Sequence, residues 1–163
     1  MLFGEKEGLL ILGSGNLTHG GNGNNEEIWG AFHFDMQASE NAPIFSAVWA
    51  YLQQLCAVTK GIIHEKTSRW ILDHSKWVNE LPATVPGSFL KLSGQDYVAF
   101  LANSVERSIW QQLVVLLGQE NVVEITTISP YYDRNGKAIQ ALKDLFPSAR
   151  INVVIEDSGL LPD

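Results

Sequence analysis

The sequence has a single cysteine, no long apolar run and no excess of positive charge, and each absence excludes a class of protein. Cys56 is the only cysteine, so an internal disulfide is excluded and a reducing compartment is expected. No apolar run approaches the roughly 18 residues that a membrane span needs. Glu5, Lys6 and Glu7 precede only a short apolar run, which is not the pattern of a signal peptide. We therefore expect a cytoplasmic protein with no membrane span.

The shortage of basic residues limits the partners that charge alone could attract. The formal net charge is −7 and the isoelectric point is about 5.0, so a broad basic surface for tight, non-specific nucleic-acid binding is not expected. A local phosphate site remains compatible with this charge. A length of 163 residues, of which 45% are hydrophobic, is enough for a soluble domain with one sizeable core, and length alone favours a single domain.

What the sequence does contain is one polar segment between two apolar ones. The apolar run at residues 9–12, too short for a helix, leads into Gly-Ser-Gly-Asn at residues 13–16 and a loop rich in glycine and asparagine. The chain resumes at residues 28–34 with residues that favour strands. The pattern predicts a strand, a polar loop and a second strand.

The polar residues of this loop suit a phosphate group. Ser14 and Asn16 are two apart, and so are Asn25 and Glu27; residues at this spacing share a face of an extended chain. Hydroxyl, side-chain amides and the free N–H groups of a glycine turn bind phosphate oxygens. The carboxylate of Glu27 would repel a phosphate unless it orients another group, most often an imidazole. The arrangement therefore requires a histidine.

These residues resemble the phospholipase D superfamily of phosphodiesterases. The half-site pattern of that family is H-x-K-x4-D, then G-S-x-N, then N-x-E, and residues 13–16 and 25–27 match the last two parts. The resemblance implies that Ser14, Asn16 and Asn25 bind phosphate and that the catalytic Glu27 orients a nucleophilic histidine that forms a phosphohistidine. It implies no metal and no other cofactor.

The sequence departs from the family pattern at the nucleophile. The H-x-K part should precede Gly13, but residues 1–12 contain no histidine, so the resemblance implies a fragment that begins inside its own motif and is inactive alone. The alternative for the motif itself is an ordinary hairpin loop in which Glu26 and Glu27 are merely solvated.

In the rest of the chain, predicted strands alternate with predicted helices, as in an α/β protein. We expect a mixed sheet with flanking helices, which would be an incomplete phospholipase D-like fold. Helices are predicted from Pro43 to Gly61 and over residues 65–81, where Trp70 and Trp77 lie on one stripe and are predicted to be core or packing residues. Further strands are predicted at residues 88–92, 97–102, 122–129 and 151–155, and further helices at 106–117 and 136–146.

The second half resembles the strand-helix-strand that opens each phospholipase D-like repeat. This resemblance makes residues 1–117 the C-terminal part of a first repeat with its helical connection, and residues 122–163 the start of a second. An ordinary βαβ unit explains the same pattern. The turn at Asp133 is predicted first as a turn and helix cap.

Other polar residues offer weaker candidates. His19 follows the G-S-x-N run and is expected to be an exposed loop residue, and His33 is expected to be structural or exposed at an edge. His64 and His74 have no second ligand at metal spacing, and Cys56 is expected to be a buried thiol.

Three functions remain open on the sequence. The first is a nuclease-type phospholipase D-like phosphodiesterase acting on a phosphodiester such as a nucleic acid; the second is a non-catalytic phospholipase D-like binding module; the third is an unrelated α/β regulatory domain. Self-association through the N-terminal sheet edge, giving a homo-oligomer, is also expected.

Overall fold

The structure, a computed structural model, describes residues 1–13, 29–37, 40–59, 61–92, 96–104, 106–118, 120–128 and 133–154. The chain divides into two compact units, Met1–Ala102 and Asn103–Asp163. The division places the helix at residues 109–117 in the second unit. The assignment of residues 1–117 and 122–163 to two repeats stays a prediction.

The first unit is built on an antiparallel sheet in the order β1-β2-β3. Its strands are β1 (Leu2–Phe3), β2 (Glu7–Gly13) and β3 (Trp29–Asp35). A tight turn joins the first two strands, with the Gly4 N–H donating to the Glu7 carbonyl at 2.8 Å. The predicted strand, loop and strand are confirmed as the paired strands β2 and β3.

Two helices follow the sheet. They are α1 (Ala42–Thr59) and α2 (Ile62–His74), and a 3-10 helix over Lys76–Glu80 comes next. Ile44 and Phe45 of α1 are completely buried and pack with Leu10 and Phe34 of the sheet. Burying each such side chain contributes about 1.5 to 3 kcal/mol, so the α1 contact with the sheet forms the core.

The helix predicted over residues 65–81 differs from the structure, because it is broken at Ser75. This residue is 1% exposed, and its hydroxyl donates to the Gly4 carbonyl at 2.8 Å. The Trp77 indole N–H donates to the same carbonyl at 3.0 Å. The break buries Trp77, at 1% exposed, and leaves Trp70 53% exposed. The predicted core role is therefore correct for Trp77 only.

Two short strands complete the first unit. They are β4 (Leu90–Lys91) and β5 (Tyr97–Val98), and they pair antiparallel with Leu90 opposite Val98. The strands predicted at residues 88–92 and 97–102 are therefore present but shorter. Leu90 is buried and joins the core.

The second unit contains a strand-helix-strand. Its elements are α3 (Ile109–Leu117), β6 (Glu124–Ile128), α4 (Lys137–Leu145) and β7 (Arg150–Val154). Ser108 and Gln111 form a capping box that starts α3, which explains why the helix begins three residues later than predicted. Strands β6 and β7 are parallel, with Glu124 opposite Arg150.

The α/β class is confirmed, but the strand arrangement differs from one mixed sheet. The described strands form three sheets, two antiparallel and one parallel. Short connections favour antiparallel neighbours, whereas a helical crossover is needed for parallel ones. Each sheet of the described chain is therefore either purely antiparallel or purely parallel, and none is mixed.

We predict that Gly8→Ala destabilises the first unit by about 1 to 3 kcal/mol, the usual cost of overpacking a core. A Cβ atom at this position would lie 2.8 Å from both Phe45 Cε1 and Trp77 Cη2, and both rings are buried. Urea unfolding followed by tryptophan fluorescence measures the loss.

Gly30→Ala is the matched control in the same sheet. The nearest atom to its added Cβ is 3.3 Å away on Phe32, so a smaller effect is expected. Equal effects of the two substitutions would contradict the packing argument.

Candidate functional site

The hairpin register determines where the polar segment leaves the sheet. Strands β2 and β3 pair from Glu7 opposite Asp35 to Gly13 opposite Trp29. Gly13 is the first residue of the predicted motif and the last described residue before residues 14–28, and Trp29 is the first described residue after them. The two strands that carry the motif are therefore neighbours, and their paired ends lie at one end of the sheet.

The predicted site residues themselves lie outside the described residues. Ser14, Asn16, Asn25 and Glu27, and the loop residue His19, all belong to residues 14–28, for which the structure gives no description. Their roles stay predictions. What the structure describes is the pair of strands to which this segment is attached.

The two faces of the hairpin differ near this end. Leu10 and Phe34 are buried on the core face, with Leu12 and Phe32 packed against the same core. On the other face Ile11 is 44% exposed and Trp29 46%. Since side chains alternate along a strand, this pattern fixes the register, because a slip of one residue would reverse both faces.

The histidine of strand β3 lies away from the loop end of the hairpin. His33 Nε2 is 3.3 Å from Glu7 Oε2, and both side chains are more than half exposed. His33 is four residues along β3 from Trp29, about 13 Å at the usual rise per residue. The expectation that His33 is exposed is confirmed. An exposed pair of this kind contributes little to stability because water and salt screen it.

A second polar pair, which the sequence patterns do not reveal, joins α1 and α2. Cys56 Sγ is 3.8 Å from His64 Nδ1, and both residues line a cavity of about 300 Å³. Cys56 is only partly buried, so the buried thiol predicted from its apolar neighbours is wrong. The pair forms because the chain turns between the two helices, which brings together residues eight positions apart.

The predicted turn and cap at Asp133 is confirmed. Its carboxylate accepts from the backbone N–H of Lys137 at 2.7 Å and of Ala138 at 3.1 Å. These two hydrogen bonds, the one to Lys137 first, hold the pKa of Asp133 below its ordinary value. The N-terminus of α4 is thus occupied by a side chain of the protein.

The described residues form neither a metal site nor a membrane span. Across the described ranges, no group of three or more histidine, cysteine, aspartate or glutamate side chains is arranged to hold a metal ion. No helix in the part of the chain that the structure describes is both long enough and apolar enough to cross a membrane.

Comparison with known proteins gave no match, whether to models of protein families, to curated proteins or to solved structures. The function of the chain must therefore be inferred from its own residues.

We predict that the hairpin register allows a disulfide between Ile11→Cys and Ala31→Cys in a Cys56→Ser background. These two residues are partners in the sheet, and Cα atoms of antiparallel partners are about 4.5 to 5.5 Å apart, within the range that a disulfide spans. Mass spectrometry after mild oxidation should show the crosslink.

The control is Ile11→Cys combined with Gly30→Cys. Gly30 is opposite Leu12, so its side chain would project to the other face and no intramolecular crosslink is expected. Crosslinking of the control but not of the first pair would show that the pairing of β2 with β3 is shifted by one residue. Gly13 and Trp29 would then no longer be partners.

Proposed function

We propose that the hairpin carries the phosphate-binding half-site of a phospholipase D-like phosphodiesterase, of the nuclease type. Ser14, Asn16 and Asn25 donate hydrogen bonds to the phosphate oxygens, and Glu27 accepts from an imidazole and orients it. The proposal assigns the site to the turn and strand ends rather than to any cavity of the described chain.

The observation that supports the proposal is the pairing of Gly13 with Trp29. The two matching parts of the motif are attached to adjacent strands at the same end of the hairpin. Had the strands paired in another order, the hydroxyl and the amides would start from distant parts of the sheet. Neighbouring attachment is the minimum that a shared phosphate site requires.

The chemistry of the proposed residues fits a phosphodiester, which carries one negative charge. The hydroxyl and amide groups are neutral donors, and a hydrogen bond to a charged oxygen contributes about 1.5 to 3 kcal/mol. The acidic Glu27 then has a role only if it accepts a hydrogen bond from an imidazole, because it would stabilise the protonated imidazolium.

The nucleophile must come from outside residues 1–13, because these contain no histidine. The described histidine nearest in the sheet, His33, lies toward the far end of β3 beside Glu7. We therefore propose that this chain binds a phosphodiester without turning it over. The net charge of −7 favours a short phosphodiester over a long polyanion as the ligand.

A non-catalytic phospholipase D-like module is the second candidate. Residues 1–12 contain no histidine, and a module that only binds a phosphate ester needs no nucleophile. The two candidates differ in what Glu27 does. It orients an imidazole in the first, whereas in the second it has no partner to orient.

We predict that the chain binds bis(p-nitrophenyl) phosphate, and that Ser14→Ala, Asn16→Ala or Asn25→Ala weakens this binding about tenfold each. Such a loss corresponds to one hydrogen bond to a charged oxygen. Changes in the amide resonances of the protein during titration measure the affinity.

Asn22→Ala is the matched control, because Asn22 has the same side chain in the same loop but lies outside the motif. It should bind as the unchanged chain does. No binding at millimolar ester, or equal losses for all four variants, would contradict the phosphate site.

We predict that free imidazole, which replaces the absent nucleophile, enables the chain to hydrolyse the same ester, and that Glu27→Gln abolishes this rescue. The imidazole nitrogen attacks phosphorus, and the P–N bond forms as one P–O bond breaks and p-nitrophenolate leaves. Water then attacks phosphorus, the P–N bond breaks, and p-nitrophenyl phosphate and imidazole are released. The absorbance of p-nitrophenolate above the rate with imidazole alone measures the turnover.

Glu26→Gln is the control of equal charge and should retain the rescue. Rescue that depends on Glu27 supports the phosphodiesterase half-site. Ester binding with no rescue at any imidazole concentration would favour the non-catalytic module.

A further inference from the structure

A cavity of about 370 Å³ lies beside the end of β3 that is farther from the hairpin loop. Phe34, Met36, Trp77 and Leu81 supply its apolar lining. The rings of Phe34 and Trp77 stack with their centroids 4.3 Å apart and belong to the buried core. Because the two rings are only 5% and 1% exposed, they support the floor rigidly from beneath, and Met36 and Leu81 supply its accessible apolar surface.

Two carboxylates complete the lining. Glu40 precedes α1 and Glu80 ends the 3-10 helix, and both line the cavity with exposed side chains. Neither has an ion-pair or hydrogen-bond partner within the residues that the structure describes. The described lining contains no basic side chain. The cavity thus combines an apolar floor with two carboxylates that have no partner among the described residues.

The start of α1 contributes a partial positive charge to the lining, but this charge is smaller than that of the two carboxylates. Ala42 and Pro43, at the start of α1, also line the cavity. A helix N-terminus is equivalent to about half a positive charge, whereas Glu40 and Glu80 carry two full negative charges. The local potential from these described groups is therefore negative.

We propose that this cavity binds a small organic cation, an ammonium group attached to an apolar or aromatic body. The carboxylates attract the ammonium group, and the apolar floor takes the body of the ligand. Small-molecule sites enclose about 300 to 1,000 Å³ with mostly apolar linings and few polar groups. This cavity has the size for one small molecule, and a peptide would need a longer groove.

The test uses 2-phenylethylammonium as the probe and 2-phenylethanol as its neutral counterpart of nearly equal shape. The readout is the Trp77 indole N–H resonance, since this group is fixed by its bond to the Gly4 carbonyl. We expect the ammonium probe to shift the resonance, to bind at least fivefold more tightly than the alcohol, and to bind more weakly as salt is raised.

Glu40→Gln and Glu80→Gln should each weaken binding of the ammonium probe about threefold, as expected for exposed charges. Glu65→Gln is the matched control, because Glu65 is an exposed carboxylate of the same unit that lines the other cavity. It changes the net charge equally and should leave the affinity unchanged.

Three results would overturn the proposal. They are equal binding of the alcohol and the ammonium probe, an equal loss in Glu65→Gln, and binding of a capped Gly-Lys-Gly peptide more tightly than the free amine. None of these results bears on residues 14–28, so the phosphate site and the cation site are tested separately.

Discussion

The packing of Trp77 against the sheet is the contact on which the first unit depends. Its ring stacks on Phe34 at 4.3 Å and meets Phe45 edge-on at 5.8 Å, and its N–H is bonded to the Gly4 carbonyl. The ring can lie this close to β2 only because Gly8 has no side chain, since an added Cβ would be 2.8 Å from it. One indole therefore joins the first turn, the hairpin, α1 and the 3-10 helix. Aromatic contacts of this kind are worth about 0.5 to 1.5 kcal/mol each beyond the area they bury.

This contact also determines the orientation of the hairpin. Phe34 is held against Trp77 at one end of β3, and Leu10 is buried opposite Phe32 in the middle. With the core face fixed along its length, the strand has no freedom to slip by a residue. The pairing of Gly13 with Trp29 is thus a consequence of packing at the other end of the strand. The proposed phosphate site depends on this pairing, although the core residues never take part in its chemistry.

Local sequence patterns predicted what local interactions decide. The strands on either side of the polar loop, the helix after Pro43 and the cap at Asp133 follow from alternation, spacing and turn residues close together in the chain. The break at Ser75 could not be predicted in this way, because it depends on a hydrogen bond to Gly4, 71 residues away. The Cys56–His64 contact and the carboxylates of the cavity likewise depend on how elements pack. For the proposed phosphate site, the two flanking strands were predictable from the sequence. Ser14, Asn16, Asn25 and Glu27 lie outside the described residues, so their place in the site stays a prediction.

The two proposed sites have ligands of opposite charge, and their separation allows both to act. Trp29 and Asp35 are the two ends of β3, about 20 Å apart at the usual rise per residue. Interactions between exposed charges are largely screened beyond about 8 Å at physiological ionic strength. Glu40 and Glu80 therefore add little repulsion for a phosphodiester at the loop end, and a bound phosphodiester adds little attraction for a cation at the cavity. Both sites are compatible with a protein of net charge −7. The anion site is proposed to use neutral hydrogen-bond donors, whereas the cation site is proposed to use the negative carboxylates of Glu40 and Glu80.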